Sequence, residues 1–398
     1  MTLALQQSGW MPRERQAVSA MFLMNGYVVG NWAPKIPEFK ARLGIDPATL
    51  GLLILAFGVG SLLLMPVVGA IIARDGSQRL VRATALALAP LLLAVTLAPT
   101  LWSAALTLIV LGGFTGGMDV AMNANAVAVE RGMRRAIMSS CHGFWSLGGL
   151  IGAGTGGLLI AAIGPLGHAI VVMAACFALI AAAWGGLLHD RPEKGAPKPP
   201  LRLPRSLMPW LIGLVALFCM IPEGAILDWG ALYIQGEIGG GVAVSGFGFA
   251  AFSATMALTR FGGDPIRDRL GAVLTLRIST ALAALGLVAA GLAPVPAVAV
   301  AGFAIAGLGI ANMVPIVFSA AGNLPGLPPG IGLSLVTFMG YSGILVAPSA
   351  IGFIAAHTGL APIFLGLPLL YLLVLAMSHH AAHADTGGQD GRSAVHPG

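Results

Sequence analysis

His189-Asp190-Arg191-Pro192-Glu193-Lys194-Gly195-Ala196-Pro197-Lys198-Pro199-Pro200-Leu201-Arg202-Leu203-Pro204-Arg205-Ser206 is a long polar stretch in an otherwise apolar chain, and it falls at the midpoint of the 398 residues. It carries five prolines and five basic residues. Proline keeps the backbone extended and cannot continue a helix, so the stretch reads as a linker. Before it lie six apolar runs, near 16–34, 48–73, 79–98, 101–130, 136–163 and 167–188. After it lie six more, near 207–234, 244–263, 272–293, 296–321, 330–356 and 361–380. The plan is six helices, a linker and six helices.

Hydrophobic residues make up 57% of the chain and charged residues only 9%, against roughly 25% charged in a soluble domain. Such a chain cannot cover a water-facing surface, which excludes soluble, disordered, collagenous and nucleic-acid-binding classes. A bilayer-crossing helix needs roughly 20 apolar residues, so twelve take about 290 and leave about 100 for every loop and tail. That is too few for a soluble catalytic domain. The first run follows Arg13 and Arg15 as a signal peptide would, but no small-residue cleavage site closes it, and it reads as a retained span. Cys141, Cys176 and Cys219 sit in apolar runs without a pairing pattern and read as small buried side chains.

The cations give an orientation. With the N-terminus inside, 18 of the 21 Lys and Arg residues fall on the inner side, counting Arg260, Arg267 and Arg269 with the loop after the eighth run. Only Lys35, Lys40 and Arg42 fall outside. This bias predicts a multi-pass membrane protein with both termini cytoplasmic. The net charge of +6 then reports topology, and its spread over separate short loops gives no nucleic-acid patch. The halves also echo each other. Arg74-Asp75-Gly76-Ser77-Gln78-Arg79 follows the second run, and Arg267-Asp268-Arg269-Leu270-Gly271 follows the eighth. Two six-helix repeats are the plan of a large class of secondary transporters, with the solute site near the midplane.

Ionisable groups deep in hydrocarbon cost about 2.5–3.5 kcal/mol on insertion scales and mark functional paths. Three carboxylates are that deep: Asp119 in the fourth run, and Glu223 and Asp228 in the seventh. Desolvation favours the protonated form of a buried carboxylate, which suits a proton carrier. These three are the proton-coupling candidates. Asp119, Asn123 and Glu130 share one helix face, a stripe of about 16 Å, with Glu130 an inner-end salt-bridge residue beside Arg131, Arg134 and Arg135. Pro222-Glu223-Gly224 suggests a locally broken helix, tolerable only against protein or a cavity. His142 lies in Ser139-Ser140-Cys141-His142-Gly143-Phe144-Trp145-Ser146, and reads either as a packing residue or as a polar contact to solute or to the Asp119 face. Asn25, Tyr27, Asn123, His142, Trp145, Trp229, Asn312 and Tyr341 are the solute-binding candidates. Asn25, Asp119, Glu223 and Asn312 fall one each on the first, fourth, seventh and tenth helices, where a central cavity is expected. The glycine run from Gly148 to Gly157 reads as a packing face. No Walker A motif, metal set, haem signature or nucleophile elbow occurs, so no cofactor, metal or enzymatic activity is expected.

Over its whole length the chain resembles the major facilitator superfamily. That family's loop pattern is G-x-x-x-D-R-x-G-R. Gly69, Arg74 and Gly76 match it, Ala73 stands where the aspartate belongs, and Asp75 is its adjacent substitute. The second half keeps the pattern better, in Arg260-Phe261-Gly262-Gly263-Asp264 and then Asp268-Arg269-Leu270-Gly271. The resemblance implies that Gly69, Arg74, Asp75, Gly76, Arg260, Gly263, Asp264, Asp268, Arg269 and Gly271 serve the inner gating loops. Glu223-Gly224-Ala225, Asp228-Trp229, Met138-Ser139, His142-Gly143 and Gly340-Tyr341-Ser342-Gly343 resemble a bacterial inner-membrane branch related to fucose permeases and a rhizopine-transport protein. The fifth-run glycines also resemble the antiporter pattern G-x-x-x-G-P-x-x-G-G, with Ala153 replacing its proline.

Together these readings imply an all-α protein of twelve transmembrane helices in the bacterial inner membrane. Its parts are an N-terminal half (1–188), a cytoplasmic linker (189–206), a C-terminal half (207–380) and a disordered tail (381–398). The expected function is proton-coupled symport of a small sugar- or polyol-like solute by a monomer, through rocking of the halves. Proton-driven efflux of amphipathic compounds is the alternative. A third reading, a transport-inactive sensor, rests on Ala73.

Overall fold

The computed structural model describes residues 11–45, 47–190, 204–240 and 242–391. Most of the linker, and the last residues with Arg392, lie outside that description. Every regular element described is helical. Nine helices among the described residues are long and apolar enough to cross a membrane. One of them, Met138–Ala183, is two spans joined at Gly164, whose φ of 75° and ψ of 168° leave the helical region ahead of Pro165. Arg13–Trp32 and Val242–Leu270 complete the twelve.

We label them α1 (Arg13–Trp32), α2 (Pro47–Asp75), α3 (Ser77–Leu97), α4 (Leu101–Met133), α5 (138–163) and α6 (165–183). The second set is α7 (Met208–Gly236), α8 (Val242–Leu270), α9 (Ala272–Gly291), α10 (Pro296–Gly322), α11 (Pro329–Thr358) and α12 (361–377). Large apolar side chains such as Leu63, Leu158, Leu258 and Phe353 lie outward. That arrangement suits lipid, which is as apolar as they are. The chain is a multi-pass membrane protein.

Two compact units divide the described residues. Unit 1 takes in the chain through Ile137, then Cys141 to the end of α6, and Gly326–Ser334. Unit 2 takes in Met138–Ser140, Pro204–Pro325 and the chain from Leu335 onward. Inside each unit, glycines bring backbones together. In unit 1, Gly60 of α2 meets the backbone of Ile109 on α4, and Gly112 of α4 meets that of Phe57 on α2. In unit 2, Gly307 of α10 meets Phe252 of α8, the equivalent pair of helices. Without a hydrophobic drive between helices in lipid, close van der Waals contact at small residues does the holding.

The structure departs from the sequence reading at four places. First, α7 runs unbroken through Pro222-Glu223-Gly224, so the proline costs a bond without ending the helix. Second, the break falls in α10 instead, where Ile310 ends one helix and Met313 begins the next. The ring of Pro315 clashes with the carbonyl four residues back, that of Ala311, and Arg260 Nε donates to this freed oxygen at 3.4 Å. Third, α8 continues to Leu270, so Arg260, Asp264 and Arg267 are buried helical residues rather than loop residues. Fourth, the chain after α12 forms a 3-10 helix, Ser378–Gly391. Its residues 381–385 were expected to begin a disordered tail, yet Ala381 and Ala384 are buried.

Candidate functional site

Unit 1 places a chain of polar side chains across α1, α4 and α5. Asp119 is 4% exposed, Asn123 0% and His142 8%. The Asn123 amide donates to the Asp119 backbone oxygen at 2.8 Å and to Asp119 Oδ1 at 3.3 Å. Its Oδ1 faces His142 Nε2 at 3.2 Å. Both groups on the Asp119 side are pure acceptors, so the amide must present nitrogen there and oxygen to the imidazole. His142 must therefore donate from Nε2. The ring of Phe22 on α1 meets the imidazole edge-on at 5.2 Å. Asp119 Oδ2 and Thr115 Oγ1, one turn apart on α4, are buried without a hydrogen-bond partner.

Asn25 of α1 has both ends of its amide occupied. Its Nδ2 donates to Thr115 O at 3.1 Å, and its Oδ1 accepts from Trp145 Nε1 at 2.9 Å. Two of the expected solute ligands thus brace α1, α4 and α5. Tyr27 is half-buried, and its carbonyl accepts from Asn31 at 2.8 Å.

Unit 2 holds a second cluster. Glu223 Oε1 of α7 lies 3.6 Å from Arg260 Nη2 of α8, an ion pair that local composition did not foreshadow. Trp229 Nε1 and Tyr371 Oη are buried without partners. The Trp229 ring packs near Gly352 of α11. Asp228 is exposed and Tyr341 half-buried. Asn312, at the break in α10, accepts from Ser139 Oγ at 2.9 Å and lies against Gly263. Asp264 accepts from the Ser139 and Ser140 backbone nitrogens at 2.9 and 3.0 Å. Its carboxylate thus accepts from two backbone N–H groups, which favours the anion.

The first-half loop is built differently. Gly69 packs on Gly330 and Ser334, all three in unit 1. Arg74 and Asp75 are exposed at the end of α2. Asp268, Arg269 and Leu270 are exposed at the end of α8.

Two further aspartates were hidden in the linker and tail. Gly76 (φ 80°) and Gly271 (φ 77°) occupy the left-handed region that favours glycine, each just before a helix. Asp190 accepts from Ser77 N at 2.9 Å, Ser77 Oγ at 2.6 Å and Gln78 N at 3.1 Å. Asp385 accepts from Ala272 N at 2.6 Å. Each half therefore caps its third helix with an acid just past its sixth. The signal was present in His189-Asp190 and Ala384-Asp385, an acid directly after the last apolar run of each half. Asp190→Ala should cost about 0.5–2 kcal/mol, the usual range for a lost helix cap. Thermal unfolding in detergent, followed by circular dichroism, would show a lower midpoint for it than for Asp75→Ala.

A polar cluster at the other end of α1 was also missed. Lys35 is fully buried and donates to Pro165 O at 3.2 Å, while His168 Nε2 meets Asn31 Oδ1 at 2.8 Å. Glu130 accepts from Ile137 N at 2.9 Å, which closes the turn between α4 and α5.

Residues 18–348 match the family described as Major Facilitator Superfamily. The chain belongs to that superfamily. An uncharacterized MFS-type transporter of Yersinia pestis is 36% identical over 386 residues, covering 96% of this chain and 99% of that one. The membrane protein MosC of Rhizobium meliloti is 34% identical over 364 residues, covering 91% and 87%. Among solved structures, the fucose:proton symporter FucP of Escherichia coli superposes with a TM-score of 0.75 over 92% of this chain and 97% of that one. At 14% identity the likeness is one of fold. As a major facilitator transporter, the protein moves small solutes across a lipid bilayer.

Proposed function

We propose that this transporter is a proton-coupled symporter of a small polar solute, sugar- or polyol-like, working by alternating access in a bacterial inner membrane with both termini cytoplasmic. The observation that carries the reading is Asp119. It is buried within a membrane-spanning helix, holds Asn123 on one oxygen, and has no hydrogen bond on the other. A charge removed from water needs either a partner or neutralisation. Glu223 has its partner in Arg260. Asp119 pairs with no cation among the described residues, and a proton is the remaining way to neutralise it. On this reading Asp119 is the principal coupling group, and Glu223 takes a proton only when the Arg260 contact opens. The partnerless Trp229 Nε1 and Tyr371 Oη suit hydroxyl-rich solutes. The positive-inside bias supports the orientation.

Proteoliposomes in a weakly buffered medium containing an external pH dye, challenged with a panel of sugars and polyols, should alkalinise that medium when the transported member is added. Asp119→Asn should abolish the signal while leaving solute exchange across equal concentrations. Alkalinisation that survives both Asp119→Asn and Glu223→Gln would overturn the assignment.

A further inference from the structure

Both titratable ends of the α4–α5 polar chain face one amide, and that amide can point only one way. The Asp119 backbone oxygen and carboxylate hold its nitrogen, so its oxygen is aimed at His142. We propose that Asn123 joins Asp119 and His142 into one proton-holding unit, in which ionised Asp119 favours a protonated His142 and protonation of Asp119 releases the proton from His142. The inference rests on the reading of Asp119 as the coupling carboxylate, and it gives His142 and Asn123 roles other than solute binding.

The physics is that of a polarised hydrogen-bond chain. An anionic acceptor strengthens the amide it holds, and the strengthened amide oxygen becomes a better acceptor for an imidazolium N–H. When a proton bonds to the carboxylate, the pull on the amide is lost. The amide keeps its orientation, since the Asp119 backbone oxygen still holds its nitrogen, but its oxygen becomes a weaker acceptor for the imidazolium. The N–H bond of the imidazolium breaks, its electron pair stays on the ring, and the proton leaves to water at the His142 end of the chain.

The two states share a property that suits a buried site. Asp119 ionised with His142 protonated is neutral in sum, and so is Asp119 protonated with His142 neutral. The unit therefore passes a proton along without placing a net charge in a low-dielectric region, where an unbalanced ion costs several kcal/mol. Other titratable side chains on the helices packed here are Arg13, Glu14, Arg15 and Tyr27 of α1, Arg74 and Asp75 of α2, Glu130 and Arg131 of α4, and Cys141 beside His142. Glu130 accepts from Ile137 N, and Arg74 and Asp75 are exposed. Asp119 is the carboxylate that the Asn123 amide joins to His142.

The test is a nitrogen NMR titration of His142 in the full-length protein, isotope-labelled on histidine, held in nanodiscs and assigned by loss of the signal in His142→Gln. In the unaltered protein His142 should titrate from imidazolium to neutral. Asp119→Asn should lower the midpoint by about one pH unit, a tenfold loss of proton affinity. In an Asn123→Ala background the same substitution should move it by less than half as much. No titration, no shift with Asp119→Asn, or a full shift that survives Asn123→Ala would each overturn the proposal. Asn123→Ser repeats the comparison if the alanine variant does not fold. The alkalinisation assay keeps the two readings apart. Loss of coupling in Asp119→Asn with an unmoved His142 removes this link alone, whereas a moved midpoint with coupling intact removes the coupling role of Asp119 alone.

Discussion

Gly148→Val should leave little folded, monodisperse protein, whereas Gly154→Val in the same helix should purify like the unaltered chain. A Cβ on Gly148 would lie 2.8 Å from the Tyr27 backbone nitrogen and 3.0 Å from the Leu23 carbonyl carbon. These are main-chain atoms of α1, so no rotamer change relieves the overlap and the two helices must separate. Overpacking a tight interface costs about 1–3 kcal/mol when side chains can yield, and more when they cannot. Separation would also pull Trp145 from Asn25, whose 2.9 Å bond lies one turn before Gly148 on the same face. A Cβ on Gly154 meets nothing within 4 Å. Fluorescence-detected size exclusion of the two variants, with Gly149→Ala as a third, reads the difference directly. Gly149 should behave like Gly154, since its nearest neighbour would be the Gly26 oxygen at 3.8 Å.

Asp264→Ala should strongly destabilise the protein. Its carboxylate is buried and holds two backbone N–H groups, those of Ser139 and Ser140. Hydrogen bonds to a charged group contribute about 1.5–3 kcal/mol each, and removing the acceptor leaves both donors exposed to an apolar surrounding. A total of about 3–6 kcal/mol is expected on that basis. Asp264→Asn keeps one acceptor oxygen and should fall between the two. The readout is the temperature at which half the monomer peak is lost after heating in detergent. Equal behaviour of Asp264→Ala and the exposed-site control Asp268→Ala would contradict the role assigned to Asp264.

Much of the fold was legible in the sequence because lipid imposes a length and a polarity on each span. The twelve apolar runs match the twelve helices to within a few residues, except that α8 runs on past 263 to Leu270, and the loss of charge alone excluded every water-soluble class. Where the reading failed, it treated local composition as decisive. Pro222 and Pro315 are both prolines in apolar runs. One helix continues through its proline and the other breaks before it, with Arg260 on hand to occupy the carbonyl that the break frees. Likewise Arg260 and Arg267 looked like loop cations because they precede a glycine turn, yet α8 carries them as buried residues. Asp190 and Asp385 looked like linker and tail, and they cap helices.

The candidate site divides in the same way. Hydropathy alone picked out Asp119, Glu223 and Asp228, since an ionisable group deep in an apolar run stands out against its neighbours. The sequence could not show that Glu223 has a guanidinium beside it, that Asn25 and Trp145 satisfy each other, or that His142 and Asp119 share one amide. Those pairings join residues from 4 to 120 positions apart.

The sequence by itself determined the class of the protein, the number of its spans and the few polar groups worth testing. Each follows from the transfer of single residues between water and hydrocarbon, which depends on composition and spacing. Only the tertiary structure decided which carboxylate is paired, which glycines touch another backbone and which asparagine connects two titratable groups. Those depend on directional contacts between helices, and a hydrogen bond or a close approach is fixed by the position of both partners rather than by the identity of either.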